Sequence, residues 1–528
     1  MRTTKVHHID GSTEGITPQV VTPQVVTPEH KIEHQVDPPG QPMPNARRFV
    51  REEFGHDLRA LLIHQGGQFY RWDGTCWPPV EDPILRAGLY KWFESRWYWD
   101  TAKKEPDQKP FAPTMRKTAD LLDALRAVTI LPTDFSTPSW LSAGPIPAHQ
   151  IIAASNGLVH WPNRKLLPHS PNYYTHHSVP FAFDPDAPRP VRWLKFLAQL
   201  WGDDVESIET LQELFGYLVC GDTNQQKMFL LVGPKRGGKG TIARVLRAMV
   251  GAHNVAGPTL ASLGTGFGLQ DLIAKPVAII SDARLGGKTD SSVVTERLLS
   301  ISGEDTLTVD RKYRDHWTGQ LPTRIVMLTN ELPKFTDSSG ALASRFIVFA
   351  MTKSFYGREN PRLTHELCTE LPGIFNWALD GLERFRERGY FRQPQTSSNA
   401  IQQIEDLSSP VGAFIRDCGT IGPDFSVPRA DLYKAYREWC DDRGHTKQNS
   451  ATFARNVYAA YPQIRRTQPR NPDESRADMY AGIKLGTGGT GANPLYCQHS
   501  GNDSNRENEY HDRAAPVPPV PDGREVLL

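Results

Sequence analysis

An excess of charge of one sign is what this 528-residue chain lacks: Lys+Arg 60 against Asp+Glu 59 leaves a formal net charge of +1. That balance excludes a histone-like or polybasic polypeptide and confines any nucleic-acid contact to local patches. Cysteine is sparse too. The six thiols, Cys76, Cys220, Cys368, Cys418, Cys440 and Cys497, form no C-x-x-C pair, so neither a zinc ribbon nor a dense disulfide framework is predicted, and a reducing compartment is. No stretch approaches 18 uninterrupted apolar residues, and the N-terminal MRTTKVHHIDGSTEG has no signal-peptide core. A soluble, cytoplasmic protein without membrane contact is therefore expected.

Proline (43) and glycine (42) are plentiful, and they gather at the ends. Residues 1–45 carry TPQVV twice in tandem and then DPPGQPMP; regular prolines oppose helix and central strand, which predicts an extended tail. Residues 486–528, with GTGGTGANP and APVPPVPDG, cannot bury a core and read as a second tail. Between them, 46–149 is expected to be a small N-terminal domain. Its FYRWDGTCW stretch turns at Asp73-Gly74 between strand-loving aromatics, and a Trp- and Arg-rich helical run follows. Those rings read as a core, against the alternative of a stacking platform built with Arg71, Arg86 and Arg96. The next stretch, 150–225, reads as two short strands and two amphipathic helices, VRWLKFLAQLW and ESIETLQELFGYLVCGD. Asp184 and Asp186 form a D-x-D that flanking prolines mark as a turn rather than a metal site.

The chemistry concentrates in 226–390. Met228 to Val232 make a buried strand, a glycine-rich loop follows, and apolar residues Ile242, Val245, Leu246 and Met249 then recur at helical spacing. Within the loop Gly233-Pro234-Lys235-Arg236-Gly237-Gly238-Lys239-Gly240-Thr241, small residues let backbone amides approach phosphates. Lys239 stands at the β/γ-phosphates beside a helix N-terminus. ATP with Mg²⁺ is the expected ligand. The position after the lysine, where such loops place a metal-ligating hydroxyl, is Gly240, and the hydroxyl comes one residue later as Thr241. Downstream, PVAIISDARL carries Asp282 at a strand end, placed with Thr241 to reach the metal; RIVMLTN ends in Asn330, placed for the γ-phosphate and attacking water. Arg345 precedes another apolar strand, where it serves either as a surface arginine or as a stabiliser of transition-state charge. Between these, Arg311, Lys312 and Arg314 alternate with Tyr313 near Trp317, either a DNA-phosphate contact or a solvated hairpin.

These elements, in this order from Gly233 to Arg345, resemble the superfamily 3 helicase domain of phage, plasmid and poxvirus primase-helicases. The resemblance extends to 150–225, similar to the helical domain that precedes the ATPase in that family. It implies an α/β, AAA+-like P-loop core in which Asp282 is the Walker B acid, Asn330 sensor 1 and Arg345 an arginine finger. It also implies that Arg311, Lys312 and Arg314 contact single-stranded or forked DNA within a homo-oligomeric ring, with a hexamer the expected form. Gly240 and Ser281 depart from the family pattern and leave metal and water positioning open. The 100 or so ordered residues before 150 carry no primer-synthesis signature, so a separate primase is the expected partner, in a bacterial host's cytoplasm if the chain is phage-encoded. Residues 400–485 read as a helical domain with a terminal hairpin, in an order compatible with a winged helix, with Arg455 on its third helix and Arg465, Arg466 and Arg470 on the hairpin. Alternatives to a helicase are an ATP-switched DNA-binding initiator or loader, and a small-molecule phosphotransferase suggested by the Gly-Lys-Gly-Thr run.

Overall fold

A computed structural model describes residues 34–486 except 57–58, 102–104, 134, 287–288, 338–339 and 471–475. Most of both expected tails, and Cys497, lie outside the described residues. The chain divides into two compact units, one of 1–60 with 81–130 and the other of 61–80 with 131–528. The stretch 46–149 is thus shared between them.

In the smaller unit, helices α1 (Pro42–Phe54), α2 (Asp82–Glu94) and α3 (Met115–Val128) accompany an antiparallel hairpin of Trp97–Asp100 and Asp107–Pro110. The helix α1 corrects the expectation of an extended tail to residue 45. Pro42 and Pro44 fall in its first turn, where amides have no intrahelical acceptor and proline costs nothing. The rings here form a core: Phe49 meets Phe54 and Trp92 edge-on at 5.6 and 5.5 Å, and Phe93 lies 4.2 Å from Phe111.

The larger unit begins with strands β1 (Leu62–Gln65), β2 (Gln68–Arg71) and β3 (Pro79–Val80), paired antiparallel. Asp73 caps its own turn between β2 and β3, accepting from the amides of Thr75 and Cys76. The segment expected to hold two strands holds four: β4 (Ile151–Ala154), β5 (Gly157–His160) and β6 (Lys165–Leu167) form one antiparallel sheet, and the short strand Tyr173–Tyr174 pairs with Ser139–Trp140. Asp184 Oδ1 accepts from the Asp186 amide at 3.0 Å in a turn, and among the described residues no cluster of three acidic, His or Cys side chains is arranged to hold a metal.

Helices α4 (Val191–Trp201) and α5 (Val205–Val219) lead into the central sheet. Its strands are β7 (Met228–Val232), β8 (Val255–Ala256), β9 (Val277–Ile280), β12 (Arg324–Thr329) and β13 (Phe346–Ala350), ordered β8-β9-β12-β7-β13 and all parallel. The antiparallel hairpin β10 (Leu307–Arg311) and β11 (Arg314–Gly319) lies outside that sheet. The central strands are continuous apolar runs because both faces are covered. Phe229 and Leu231 face α5, α6 (Lys239–Val250) and α8 (Leu371–Arg388), while Met228 and Leu230 face α7 (Ser291–Ser302). Packing α5 against α8 needs small residues at the crossing: a Cβ on Gly216 would lie 2.4 Å from the Ala378 carbonyl oxygen, and one on Gly381 2.5 Å from Gln212 carbonyl carbon. Beside that contact the Glu213 carboxylate, 1% exposed, accepts from Arg384 at 3.0 Å and from both terminal nitrogens of Arg388.

The C-terminal part runs α9 (Ser398–Ser408), α10 (Pro410–Cys418), β14 (Gly419–Pro428), α11 (Arg429–Arg443), α12 (Ser450–Ala460), β15 (Arg465–Thr467) and β16 (Met479–Leu485). Its sheet is ordered β14-β16-β15 over a core of Phe414, Tyr436, Phe453 and Ile483. The expected helices and hairpin are present, and β14 is an additional strand. No helix among the described residues is long and apolar enough to cross a membrane.

Replacing Glu213 with Ala strands Arg388 in a half-dry pocket without its carboxylate. Equilibrium unfolding in urea should show a loss of about 3–5 kcal/mol; an unchanged midpoint would mean that the ion pairs do not hold α5 to α8.

Candidate nucleotide site

The loop Gly233–Thr241 joins β7 to α6, as the apolar strand and helical spacing predict. Gly238 has φ +89°, and a Cβ there would come 2.7 Å from Leu200 Cδ2 of α4, so glycine answers both a left-handed backbone and a close approach. Arg236 is also left-handed, at φ 58°. The chain after β13 straps the loop down: Ser354 Oγ donates to the Lys235 carbonyl at 2.8 Å, and the Phe355 amide to the Arg236 carbonyl at 3.1 Å. Lys239 is only 8% exposed, and its Nζ donates to the carbonyls of Gly233 (2.6 Å) and Pro234 (2.7 Å). Burial away from any carboxylate pushes its ammonium pKa down.

A cavity of about 410 Å³ opens over this loop, lined also by Asn330, Phe355 and Thr364. Its charged lining is four cations, Arg236, Lys239, Arg244 and Arg358, against one carboxylate, Glu359, which Arg236 meets at 3.3 Å. Such a surface suits a polyanion. Asn330 reaches it because β12 lies beside β7 and ends at the same edge of the sheet.

The other expected residues are placed differently. Asp282 follows β9 at that same edge, two strands from the loop, and its carboxylate takes Nε and a terminal nitrogen of Arg284 at 2.8 and 2.5 Å. That guanidinium holds the carboxyl below its usual range. The Thr241 hydroxyl accepts from Arg244 at 3.3 Å. Arg345 precedes β13, whose first residue Phe346 pairs with Met228, the first of β7. Four residue steps, about 13 Å of strand, separate that end from the loop. There Arg345 donates to the Leu299 carbonyl and Ser302 Oγ, each at 2.8 Å, at the C-terminal turn of α7.

Arg311, Lys312 and Arg314 do not form one surface. Arg311 is 9% exposed and donates to the Asp315 carbonyl at 2.8 Å and the Gly67 carbonyl at 3.4 Å. Its guanidinium is an internal prop of the hairpin, a correction to its place beside the other two as a phosphate contact. Lys312 and Tyr313 form the tip, Tyr313 93% exposed with the Lys312 ammonium 5.2 Å from its ring; exposed Arg314 donates to Gln68 Oε1 at 3.1 Å. Arg284 and Arg244 escaped the sequence reading. Both stand at short spacing from an expected ligand, Arg284 two residues after Asp282 and Arg244 four after Gly240.

Three stretches of the chain match family models: 47–202 the one described as D5 N terminal like, 231–345 a family of unknown function, and 410–483 the RFX DNA-binding domain. The first begins at the edge of the stretch to which sequence reasoning gave no function. Among solved structures, the chain is similar to an apo A form of the NrS-1 C terminal region, at 13% identity and a TM-score of 0.46 over 80% of this chain and 95% of that one. A second apo structure of that region aligns at 12% identity and a TM-score of 0.47, over 80% and 96%.

The hairpin geometry separates support from contact. Arg311→Ala should lower unfolding stability by about 1–3 kcal/mol by removing a buried guanidinium with its charge-assisted bonds to the Asp315 and Gly67 carbonyls, whereas Lys312→Ala should stay within about 0.5 kcal/mol. Equal melting temperatures for the two variants would contradict the assignment.

Proposed function

We propose that this chain is an ATP-driven DNA helicase of the superfamily 3 type, serving replication of a phage or plasmid-like element as a homo-oligomeric ring, with six subunits the expected number. The observation that carries the reading is the cation-lined cavity in which the loop Gly233–Thr241 meets Asn330. A triphosphate entering it would exchange with the two carbonyls now bound to Lys239 and restore an anionic partner to that ammonium. Asn330 would orient the attacking water.

Mg²⁺ is the implied cofactor, and its two candidate protein ligands fit unequally. Asp282 supplies a carboxylate at the correct sheet edge once its pair with Arg284 opens. The Thr241 hydroxyl faces a guanidinium, so it suits a water-mediated role better than direct ligation. Bound there, the metal would neutralise charge developing on the phosphates.

Arg345 sits at the far end of the sheet from its own loop. If it acts on a nucleotide, that nucleotide belongs to a neighbouring subunit, which supports a ring with shared sites. DNA binding draws support from the RFX DNA-binding match over 410–483, where the helix–strand–helix–helix–strand–strand order is compatible with a winged helix and Arg455 and Arg465 are exposed. Lys312, Tyr313 and Arg314 would add a contact to single-stranded or forked DNA. The D5 N terminal like match supports a place in replication, where a separate primase would be the partner.

Lys239→Ala should abolish ATP hydrolysis in a chain that keeps its circular dichroism, and Arg345→Ala should bind ATP yet hydrolyse it about 10³-fold more slowly. Mixing the two inactive variants should restore part of the activity at mixed interfaces. Normal turnover by Lys239→Ala would sink the nucleotide-site reading, and mixed oligomers without recovered activity would sink the shared site. Strand displacement of forked DNA separates a helicase from a loader. Replacing Lys312 and Arg314 with Ala should flatten the salt dependence of single-strand affinity by about 0.7 per lost phosphate contact.

A further inference from the structure

Resting on the nucleotide reading above, a second cation in the loop region has a role that the loop pattern does not assign. Arg244 stands one helical turn after Gly240 on α6, with an exposed side chain that curls back toward the helix N-terminus. A Cβ built on Gly240 would lie 3.2 Å from an Arg244 terminal nitrogen. A side chain at 240 would therefore meet the guanidinium and move it by a few tenths of an ångström. The same guanidinium donates to Thr241 Oγ1 at 3.3 Å, and Arg244 Nε donates to Thr364 Oγ1 at 3.0 Å. Arg244 thus commands both places where a metal-ligating hydroxyl would stand, at 240 and at 241, and lines the cavity together with Lys239.

We propose that Arg244 takes over the task of the side chain that residue 240 lacks, gripping the terminal phosphates of a nucleoside triphosphate directly with its guanidinium. The absent side chain and the arginine one turn later are then one device. A hydroxyl recruits positive charge through a bound divalent cation; a guanidinium brings that charge with it and offers paired donors to phosphate oxygens. Arg244 also keeps a donor on Thr364, which fixes its fork over the cavity rather than leaving it free in solvent. The loop should consequently hold a triphosphate with less dependence on Mg²⁺ than a loop built around a hydroxyl.

The test is equilibrium binding of labelled ATP and AMP to the full chain, each with Mg²⁺ and in EDTA. The variants are Lys239→Ala, Arg244→Gln, Arg244→Lys and the double variant Gly240→Ser/Arg244→Gln. Arg244→Gln should weaken ATP about tenfold or more in EDTA and less with Mg²⁺, leave AMP unchanged, and be partly rescued by Arg244→Lys. The double variant should regain ATP affinity with Mg²⁺ and not in EDTA. Unchanged ATP affinity of Arg244→Gln in EDTA would overturn the assignment, as would equal losses for ATP and AMP, which are the mark of an arginine that only anchors Thr364. If Lys239→Ala loses ATP while Arg244→Gln does not, the Arg244 assignment alone falls. If the parent chain binds no ATP, the nucleotide reading falls with it.

Discussion

The Glu213 carboxylate, buried and gripped by Arg384 and Arg388, ties the helix that enters the central sheet to the helix that leaves it. A buried ion pair is weak evidence of net stability, because desolvation offsets most of its attraction. Its consequence here is register. With Gly216 and Gly381 letting the two helices approach, only one axial placement of α5 against α8 satisfies both the carboxylate and the backbone contact. Trp193 of α4 then packs 5.3 Å from Phe215 and 5.7 Å from Trp377. That placement carries Phe196 and Leu200 onto Gly238. A segment that precedes the sheet by a full helix therefore forms part of the wall of the glycine-rich loop.

Arg324 secures the opposite end of the same helix. Its guanidinium, 5% exposed, donates to the carbonyls of Leu218 in the last turn of α5, of Cys220 and Asp222 just beyond it, and of Pro276 just before β9. Carbonyls that a helix end leaves unpaired are thereby paired by a residue of β12. Since β12 leads to Asn330 and β9 to Asp282, the same arginine sets the two acceptor-bearing strand tips against the helical frame. Around the cavity the polar groups satisfy one another: Lys239 through carbonyls, Thr241 through Arg244, Asp282 through Arg284. Each partner is a neutral carbonyl or an exposed guanidinium, so none of these pairings closes the cavity.

How much of this was legible depended on whether local pattern or tertiary packing decided it. Strand β7, the glycine loop and α6 were readable because an apolar run, a glycine cluster and a helical period lie contiguously in sequence. The parallel strand tips bearing Asp282 and Asn330 were readable for the same reason. Helix α1 was not, because prolines that break a helix interior are harmless in its first turn and composition alone does not locate that turn. The ten-residue β14 was hidden by its two glycines, two prolines and one aspartate; its partner β16 supplies the pairing that its own propensity does not favour. The burial of Arg311 depends on a carbonyl at Gly67, 244 residues away in sequence, and no local pattern announces such a contact.

The direction of the central strands finally limits what a single chain can do. In a parallel sheet every strand presents its C-terminal end to one edge, so the loop after β7, Asp282 after β9 and Asn330 after β12 share an edge by topology alone. Arg345 comes before β13 and falls at the other edge for the same reason. No side-chain rotation spans that separation, since an extended arginine reaches only about half of the roughly 13 Å of intervening strand. The division is therefore between an edge that carries the glycine-rich loop and its cation-lined cavity and an edge that holds a guanidinium on the C-terminal turn of α7. Stacked head to tail, copies of this chain would bring those edges together, and a heterologous contact of that kind closes into a ring when its rotation allows.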